Sequence, residues 1–191
     1  MTAHPRRRYT PSPLAEVHRT GSSDRTTIVF TRTLAHPIDA VWSALTDPAQ
    51  LAQWAPFTAD RDLATPGSAT LSMIDTNDAG DHQETADLPA SVTICEPPSL
   101  LEYTWGDDVL RWELTPSTDD QGTELTLRHT LSQPRMDSAV TAGWHICLDV
   151  ADALLAGDPI GLIVGAEARQ HGWDDLNQRY ADHLGIERSQ V

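Results

Sequence analysis

The stretch "HPIDAVWSALTDPAQLAQW", residues 36–54, decides the fold that the sequence predicts. The run just before it, "TTIVFTRTL", is rich in β-branched residues and predicts a strand over residues 26–34. Pro37 suits the first turn of a helix, and a second proline separates this helix from another short helical piece. The apolar residues that recur at helical spacing are Ile38, Val41, Trp42, Leu45, Leu51 and Trp54. The chain is therefore expected to leave a strand, form two short helices and return to strands.

From about residue 59 to residue 131 the apolar residues alternate with polar ones, which is the period of a strand. The alternating apolar positions are Leu71, Met73, Val92, Ile94, Leu101, Tyr103, Trp105, Leu110, Trp112, Leu114, Leu125, Leu127, His129 and Leu131. Gly106-Asp107-Asp108 and the segment 119–122 have the composition of hairpin connections. Clean alternation favours antiparallel strands with one solvated face.

The helical period returns at Ser138 and predicts a helix over residues 138–157. Its apolar face carries Val140, Trp144, Cys147, Ala151 and Leu154, and its polar face carries Asp149 and Asp152. At 1.5 Å per residue such a helix is about 27 Å long, which is enough to cross a sheet. A twisted antiparallel sheet needs a cover for its apolar concave face. The predicted fold class is therefore α+β, with a curved antiparallel sheet wrapped around a long C-terminal helix.

The chain divides into three predicted parts. Residues 1–25 carry five arginines against two acidic residues and are expected to be a disordered basic tail. Residues 26–157 form the domain, and residues 158–191 are a C-terminal extension with an amphipathic helix. One side of that helix carries Trp173, Leu176, Tyr180 and Leu184, although Gly172 makes an unbroken helix less favourable. The apolar stripe is expected to pack on the domain or at a homodimer interface.

Composition excludes several classes of function. The formal net charge is -15 with no lysine, so a polyanion would be repelled and no nucleic-acid partner is expected. No apolar run reaches the roughly 18 residues of a membrane helix, and no membrane partner is expected. "RRR" at residues 6–8 is not followed by a hydrophobic segment, so a cytoplasmic location is expected. Cys95 and Cys147 lie in unrelated patterns and are predicted to be buried small hydrophobes.

Three segments together resemble a known family: "FTRTLAHPIDAVWSALTDPAQLAQW" (residues 30–54), "EPPSLLEYTWGDDVLRWEL" (96–114) and "TAGWHICLDVADALLAG" (141–157). They are similar to the START-like (SRPBCC) superfamily, and within it to the homologues of the activator of the 90-kDa heat-shock protein ATPase. The resemblance covers roughly residues 26–157 and implies the helix-grip (START/Bet v 1-like) fold. This fold hosts lipid carriers, cyclases, co-chaperones and resistance proteins, so the resemblance specifies the fold more closely than the function.

We expect this protein to bind a small hydrophobic or aromatic ligand in a cavity between sheet and helix, without catalysis and without a cofactor. The candidate ligand-binding residues are Trp42, Trp54, Phe57, Leu71, Met73, Tyr103, Trp105, Trp112, His129, Trp144 and Leu148. Within this set, Trp42 and Trp54 are expected to close the mouth of the cavity. A cyclase or dehydratase that uses His129 as acid or base is the second hypothesis. A chaperone-interaction module is the third, and a chaperone partner is doubtful because the eukaryotic co-chaperone has a separate N-terminal docking domain.

Three other groups of polar residues receive a structural interpretation. His129 is expected to be held in the core by one hydrogen bond, with a polar anchor for the ligand as the alternative. His145 is expected at the surface. The cluster Asp75, Asp78, Asp81, His82 and Glu84 matches neither a calcium nor a zinc pattern and is expected to be a solvated acidic loop without metal.

Overall fold

The structure is a computed structural model that describes residues 9–21, 25–76, 82–118 and 122–190. Its strands are β1 Glu16–Gly21, β2 Thr26–Leu34, β3 Phe57–Ala59, β4 Gly67–Thr76, β5 His82–Glu96, β6 Leu100–Trp105, β7 Asp108–Pro116 and β8 Thr123–Leu131. Its helices are α1 Ile38–Thr46, α2 Pro48–Trp54, α3 Asp137–Leu155, α4 Gly165–Gln170 and α5 Trp173–Leu184, with a 3-10 turn at Pro134–Met136.

The eight strands form one antiparallel sheet in the order β1-β2-β8-β7-β6-β5-β4-β3. Strands β4 to β8 follow one another as neighbours, whereas β2 pairs with β8 and β3 lies at the far edge beside β4. Helices α1 and α2 carry the chain from β2 to that far edge. The stretch at residues 36–54 therefore bridges the width of the sheet, which is why it interrupts the strands.

The predicted alternation in the strands is confirmed. In β7 the buried side chains are Leu110, Trp112 and Leu114, and their neighbours are partly or fully exposed. In β8 every second residue from Thr123 to Leu131 is buried. Helix α3 contacts α1, α2 and β2, and its side chains share one hydrophobic core with the inner face of the sheet. This arrangement is the predicted α+β helix-grip fold.

The prediction of a disordered N-terminal tail is wrong for residues 9–21. Strand β1 pairs with β2 over six residues, and Tyr9 is buried against α3, where its hydroxyl group donates a 2.7 Å hydrogen bond to Asp149. Only Val17 is buried in β1, so this edge strand is held mainly by backbone hydrogen bonds and carries no apolar alternation. Residues 1–8 and 22–24 lie outside the described residues.

The C-terminal extension forms two helices rather than one. Gly172 has φ +93°, a left-handed conformation that favours glycine, and it separates α4 from α5. Leu176 and Tyr180 of the predicted stripe are fully buried, and α5 packs on α3 of the same chain. Trp173 and Leu184 are only partly buried. A homodimer stays a prediction.

No helix among the described residues has the length and apolarity needed to cross a membrane.

Candidate functional site

Most of the predicted ligand-binding aromatic residues form a packed core. Trp112 lies edge-on to both Trp54 and Trp144, with ring centroids 6.2 and 5.3 Å apart. The predicted residues that are buried are Trp42, Trp54, Phe57, Leu71, Tyr103, Trp112, His129, Trp144 and Leu148, while Met73 and Trp105 are partly exposed. The centre of the sheet–helix space is thus filled by side chains.

Hydrogen bonds within this core satisfy its indole groups. Trp54 Nε1 donates to the Ala44 carbonyl at 2.9 Å, and Trp112 Nε1 donates to the Tyr103 hydroxyl at 3.1 Å. Burial raises the pKa of Tyr103, so its hydroxyl stays neutral. These hydrogen bonds hold the groups in place within the core.

His129 is fully buried and bonded at both ring nitrogens. Trp144 Nε1 donates to His129 Nδ1 at 3.0 Å, and His129 Nε2 lies 2.9 Å from Asp108 Oδ2. An indole N–H can only donate, so Nδ1 is the acceptor and the proton on Nε2 is donated to Asp108. Burial raises the pKa of Asp108, but the hydrogen bonds from His129 and Ser132 outweigh it, so the pKa is lowered overall. The expected core histidine therefore has two hydrogen bonds where one was predicted.

An open cavity of about 500 Å³ lies beside this core. Its lining residues are Pro56, Asp75, Trp105, Val140, Gly143, Trp144, Ile146, Cys147, Ile163, Val164, Gly165, Ala166, Ala168, Arg169 and Trp173. Of the eleven predicted residues, only Trp105 and Trp144 belong to this lining. Trp42 and Trp54, which were expected at the mouth of a cavity, are not among these residues.

Helix α3 contributes one wall through residues that share a face. Val140, Gly143, Trp144 and Cys147 follow one another at spacings of three, one and three residues, which places them on one side of the helix. Burial raises the pKa of Cys147 to about 12, which favours the neutral thiol at physiological pH. Asp75 of β4 and Trp105 of β6 belong to the sheet side of the lining.

The C-terminal extension contributes the opposite wall, which sequence reasoning missed. The connector after α3 and helix α4 supply Ile163, Val164, Gly165, Ala166, Ala168 and Arg169, and α5 begins at Trp173. The Arg169 guanidinium carbon lies 5.2 Å from the ring centroid of Trp173, which is a cation–π contact. The sequence signal for this wall was the apolar run "PIGLIVG", because the side chains of an apolar connector have to pack against another part of the protein.

His145 was expected at the surface, and this prediction is wrong. Its side chain is fully buried, with Nδ1 at 2.8 Å from the Tyr180 hydroxyl and Nε2 at 3.2 Å from the Ser12 hydroxyl. The physical reason is that the polar side of α3 is covered by α5 and by the N-terminal segment 9–15. Both covering segments are distant in sequence, so the helix pattern alone gave no sign of them.

Asp149, also assigned to the polar face of α3, lies at the centre of the same buried polar cluster. It accepts hydrogen bonds from Arg32, from the Tyr9 hydroxyl and from the Ser12 backbone N–H. Burial by itself would raise its pKa, but the hydrogen bond from His145, the charge of Arg32 and the Ser12 N–H hold the pKa well below its usual range. The hydrogen bonds of this cluster hold the N-terminal segment 9–15 against α3.

Among the described residues, no three His, Cys, Asp or Glu side chains are grouped so that they could hold a metal ion. Asp78 and Asp81 lie outside those residues. Asp75 belongs to the cavity lining, and His82 lies 3.3 Å from Glu167 of α4. Cys95 is partly buried, Cys147 is buried, and both are free thiols.

Solved structures support the fold. CalU16 from Micromonospora echinospora is 20% identical with a TM-score of 0.60, and the match covers 88% of this chain and 95% of that chain. A conserved protein of unknown function from Enterococcus faecalis is 15% identical with a TM-score of 0.61, covering 87% and 91%. A protein from Mesorhizobium loti is 26% identical with a TM-score of 0.55, covering 69% and 97%. The likeness shows that all of these chains share one fold.

No curated protein is similar enough to this chain to match it. The family described as "Activator of Hsp90 ATPase homolog 1-like protein" matches residues 35–156, which is more than half of the chain. That range includes the bridging helices α1 and α2, most of the sheet and helix α3, which are the elements that carry the resemblance in the sequence. The chain therefore belongs to the family of proteins like the activator of Hsp90 ATPase homolog 1.

Proposed function

We propose that this protein binds a small apolar molecule with a ring system in the cavity between α3, the sheet and the C-terminal extension. The observation that carries the proposal is the cavity itself. Its volume of about 500 Å³ lies within the range of roughly 300–1,000 Å³ that is typical of small-molecule sites. The wall is mostly aliphatic and aromatic, and the indoles of Trp105, Trp144 and Trp173 offer flat surfaces to a ring.

The bonding of the buried polar groups favours binding without catalysis. His129 was the candidate acid or base, but its ring nitrogens are occupied by Trp144 and Asp108, and the residue is absent from the cavity lining. Cys147 reaches the lining with a raised pKa. A general acid or base has to come within hydrogen-bond reach of the reacting group. A cyclase or dehydratase that uses His129 remains the alternative, and it would need His129 to give up one of these hydrogen bonds and reach the reacting group.

A matched pair of alanine-to-tryptophan variants tests the proposal with N-phenyl-1-naphthylamine, a neutral dye whose fluorescence rises in an apolar site. Ala166 is exposed and lines the cavity, whereas Ala49 is exposed on α2 and does not. We expect the wild-type chain and Ala49→Trp to increase the dye fluorescence with the same affinity, because their cavities are the same. Ala166→Trp should lose this binding, because the indole takes the space of the dye.

Equal dye binding by the two variants, or no dye binding by the wild-type chain, would contradict the proposal. Native mass spectrometry of the purified protein supplies the second measurement. A co-purifying apolar molecule should leave when the dye is added, and it should be missing from Ala166→Trp. A molecule that stays bound in the presence of saturating dye binds at another site, and this result would contradict the proposal that the cavity is the binding site.

A chaperone-interaction role is the second candidate, and the family description supports it. The measurement is the ATPase rate of a 90-kDa heat-shock protein with and without this chain. We expect no change in that rate, because the open cavity that carries the proposal has the volume of a small-molecule site. A stimulation that survives in Ala166→Trp would favour the chaperone role.

A further inference from the structure

Helix α3 has a glycine at the centre of its cavity face. Gly143 lies in the middle of a 19-residue helix, where glycine is unfavourable because of its backbone freedom. Its backbone does not require glycine, since it lies in a regular helix without positive φ. The nearest atom to a Cβ placed there is Trp173 Nε1 at 4.0 Å, which is an ordinary van der Waals distance. Crowding therefore does not require glycine either, and the missing side chain leaves a notch in the cavity wall.

The atom that faces this notch is a hydrogen-bond donor. Among the described residues, the indole N–H groups of Trp54, Trp105, Trp112 and Trp144 each have a partner. Within the same part of the chain, no acceptor is bonded to Nε1 of Trp42 or of Trp173, and of these two residues Trp173 is the one that lines the cavity. The Arg169 guanidinium lies over the Trp173 ring and holds the orientation of the indole. A donor-only N–H thus borders an open cavity at the position where the opposite wall has no side chain.

We infer that the ligand carries an acceptor oxygen on its ring system, and that this oxygen lies in the notch over Gly143 and accepts a hydrogen bond from Trp173 Nε1. The inference rests on the proposed function and specifies the chemical class of the ligand. The rings of the ligand lie against Trp105 and Trp144, which both line the cavity and whose ring centroids are 6.0 Å apart. Trp173 belongs to the extension beyond residues 35–156, so a selective group of the site comes from outside the part that matches the family.

Two tricyclic compounds of nearly equal size test this inference. Fluorenone has a carbonyl oxygen where fluorene has a methylene group, so only fluorenone can accept the hydrogen bond. Isothermal titration with the wild-type chain should give an affinity for fluorenone about three- to tenfold higher than for fluorene, which is the size of one net hydrogen bond. In Trp173→Phe the preference should disappear while fluorene still binds, because phenylalanine keeps an aromatic wall without the donor.

Substitutions at position 143 test the notch. In Gly143→Ala the added methyl group occupies the place of the oxygen, so the preference for fluorenone should fall while fluorene binding stays within about twofold. Gly143→Leu should lose both compounds, whereas the control Ala49→Leu, on the exposed face of α2, should bind both as the wild-type chain does. Gly143→Ala should melt no lower than the wild-type chain, since its backbone is helical and the added Cβ lies at an ordinary van der Waals distance from Trp173. The melting temperature of each Gly143 variant is measured beside its affinity, so that lost binding is separated from unfolding.

The outcomes separate this inference from the proposed function. If the wild-type chain binds fluorenone and fluorene equally, or if Trp173→Phe keeps the preference, the inference is wrong and the proposed function stands. If the wild-type chain binds neither these compounds nor the naphthylamine dye, the proposed function fails and the inference fails with it.

Discussion

The indole N–H of Trp144 donates a 3.0 Å hydrogen bond to Nδ1 of His129, and this contact joins the cavity wall to the buried core. Trp144 lines the cavity, while His129 lies behind it with no exposed surface. The other nitrogen of His129 is bonded to Asp108, whose side chain is 21% exposed. A chain of hydrogen bonds therefore runs from a carboxylate near the surface to the cavity and holds the orientation of one wall.

Replacing His129 with alanine should destabilise the protein strongly. The substitution leaves the Trp144 N–H without its acceptor, removes a donor from Asp108 and opens a cavity in the core. Together these effects should cost about 2–5 kcal/mol of unfolding free energy, measured by urea denaturation. His18→Ala, at an exposed position of β1, is the control and should change stability by less than about 0.5 kcal/mol. Equal effects of the two variants would contradict this role of His129.

The same His129→Ala variant distinguishes a binder from an enzyme. Under the binding proposal, the affinity for N-phenyl-1-naphthylamine should fall only modestly, because Trp144 loses its fixed orientation but stays in the wall. The measurement is a dye titration at a temperature where the variant is folded. An activity in the wild-type chain that this substitution reduces by orders of magnitude would instead support the cyclase or dehydratase alternative.

Asp149 should make stability depend on pH in the acid range. Its folded-state pKa is lowered, so its contribution is present above the unfolded value of about 3.9 and is lost as pH falls toward the folded value. Urea denaturation should show the wild-type stability decreasing below about pH 5. Asp149→Asn should lose about 3–5 kcal/mol at pH 7, because Arg32 stays buried without its ion pair, and should depend less on acid pH.

The exposed carboxylate of Asp39 provides the control for Asp149. It lies in the first turn of α1, and Asp39→Asn should lose far less stability at pH 7 than Asp149→Asn, because an exposed carboxylate holds no buried partner. An Asp149→Asn profile parallel to that of the wild-type chain would show that another group controls the acid dependence.

Leu176 should contribute more to stability than Leu184, although both lie on the apolar stripe of α5. Leu176 is fully buried against the domain, whereas Leu184 is partly exposed near the end of the helix. Leu176→Ala should therefore cost about 2–5 kcal/mol and Leu184→Ala clearly less, measured by thermal and urea unfolding. Equal and small costs would mean that α5 does not pack on α3 in solution.

Ending the chain after Gly157 should lower both stability and ligand binding. The deletion removes the wall supplied by Ile163 and Trp173 and exposes the side of α3 that α5 covers. It also removes Tyr180, which is bonded to the buried His145. We expect a lower melting temperature or loss of solubility, measured by calorimetry and size-exclusion chromatography. A monomer that melts at the temperature of the full-length chain would show that the extension is an appendage.

The fold could be predicted from the sequence because its evidence is periodic and local. Alternation in β7 and β8 identified the inward residues, and helical spacing after Ser138 identified α3, which spans Asp137–Leu155. Strands β1 and β3 were missed for the opposite reason. The first buries a single side chain, Val17, and the second has only three residues, so neither is long or apolar enough to show a period.

The candidate site could be predicted only in part. Trp105 and Trp144 were expected near a cavity and belong to the lining of this one, but their inward direction in the sequence pattern could not distinguish an open space from a packed core. Trp54 and Trp112 have the same inward direction and are fully enclosed by neighbours. Whether a large side chain borders an empty volume depends on every neighbour around it, and those neighbours come from segments far apart in the chain.

Sequence pattern alone was sufficient for the succession of β2, α1, α2, the strands β4 to β8 and α3, and for the inward faces of β7 and β8, because hydrophobic period and proline position act within a few residues. Only the tertiary structure decided that His145 and Asp149 are buried and that the extension supplies half of the cavity wall. The physical reason is that both outcomes depend on where the segments 9–15 and 160–184 dock. Docking depends on contacts between separate segments of the chain, such as those of Tyr9 with Asp149 and of His145 with Tyr180, which no local period records.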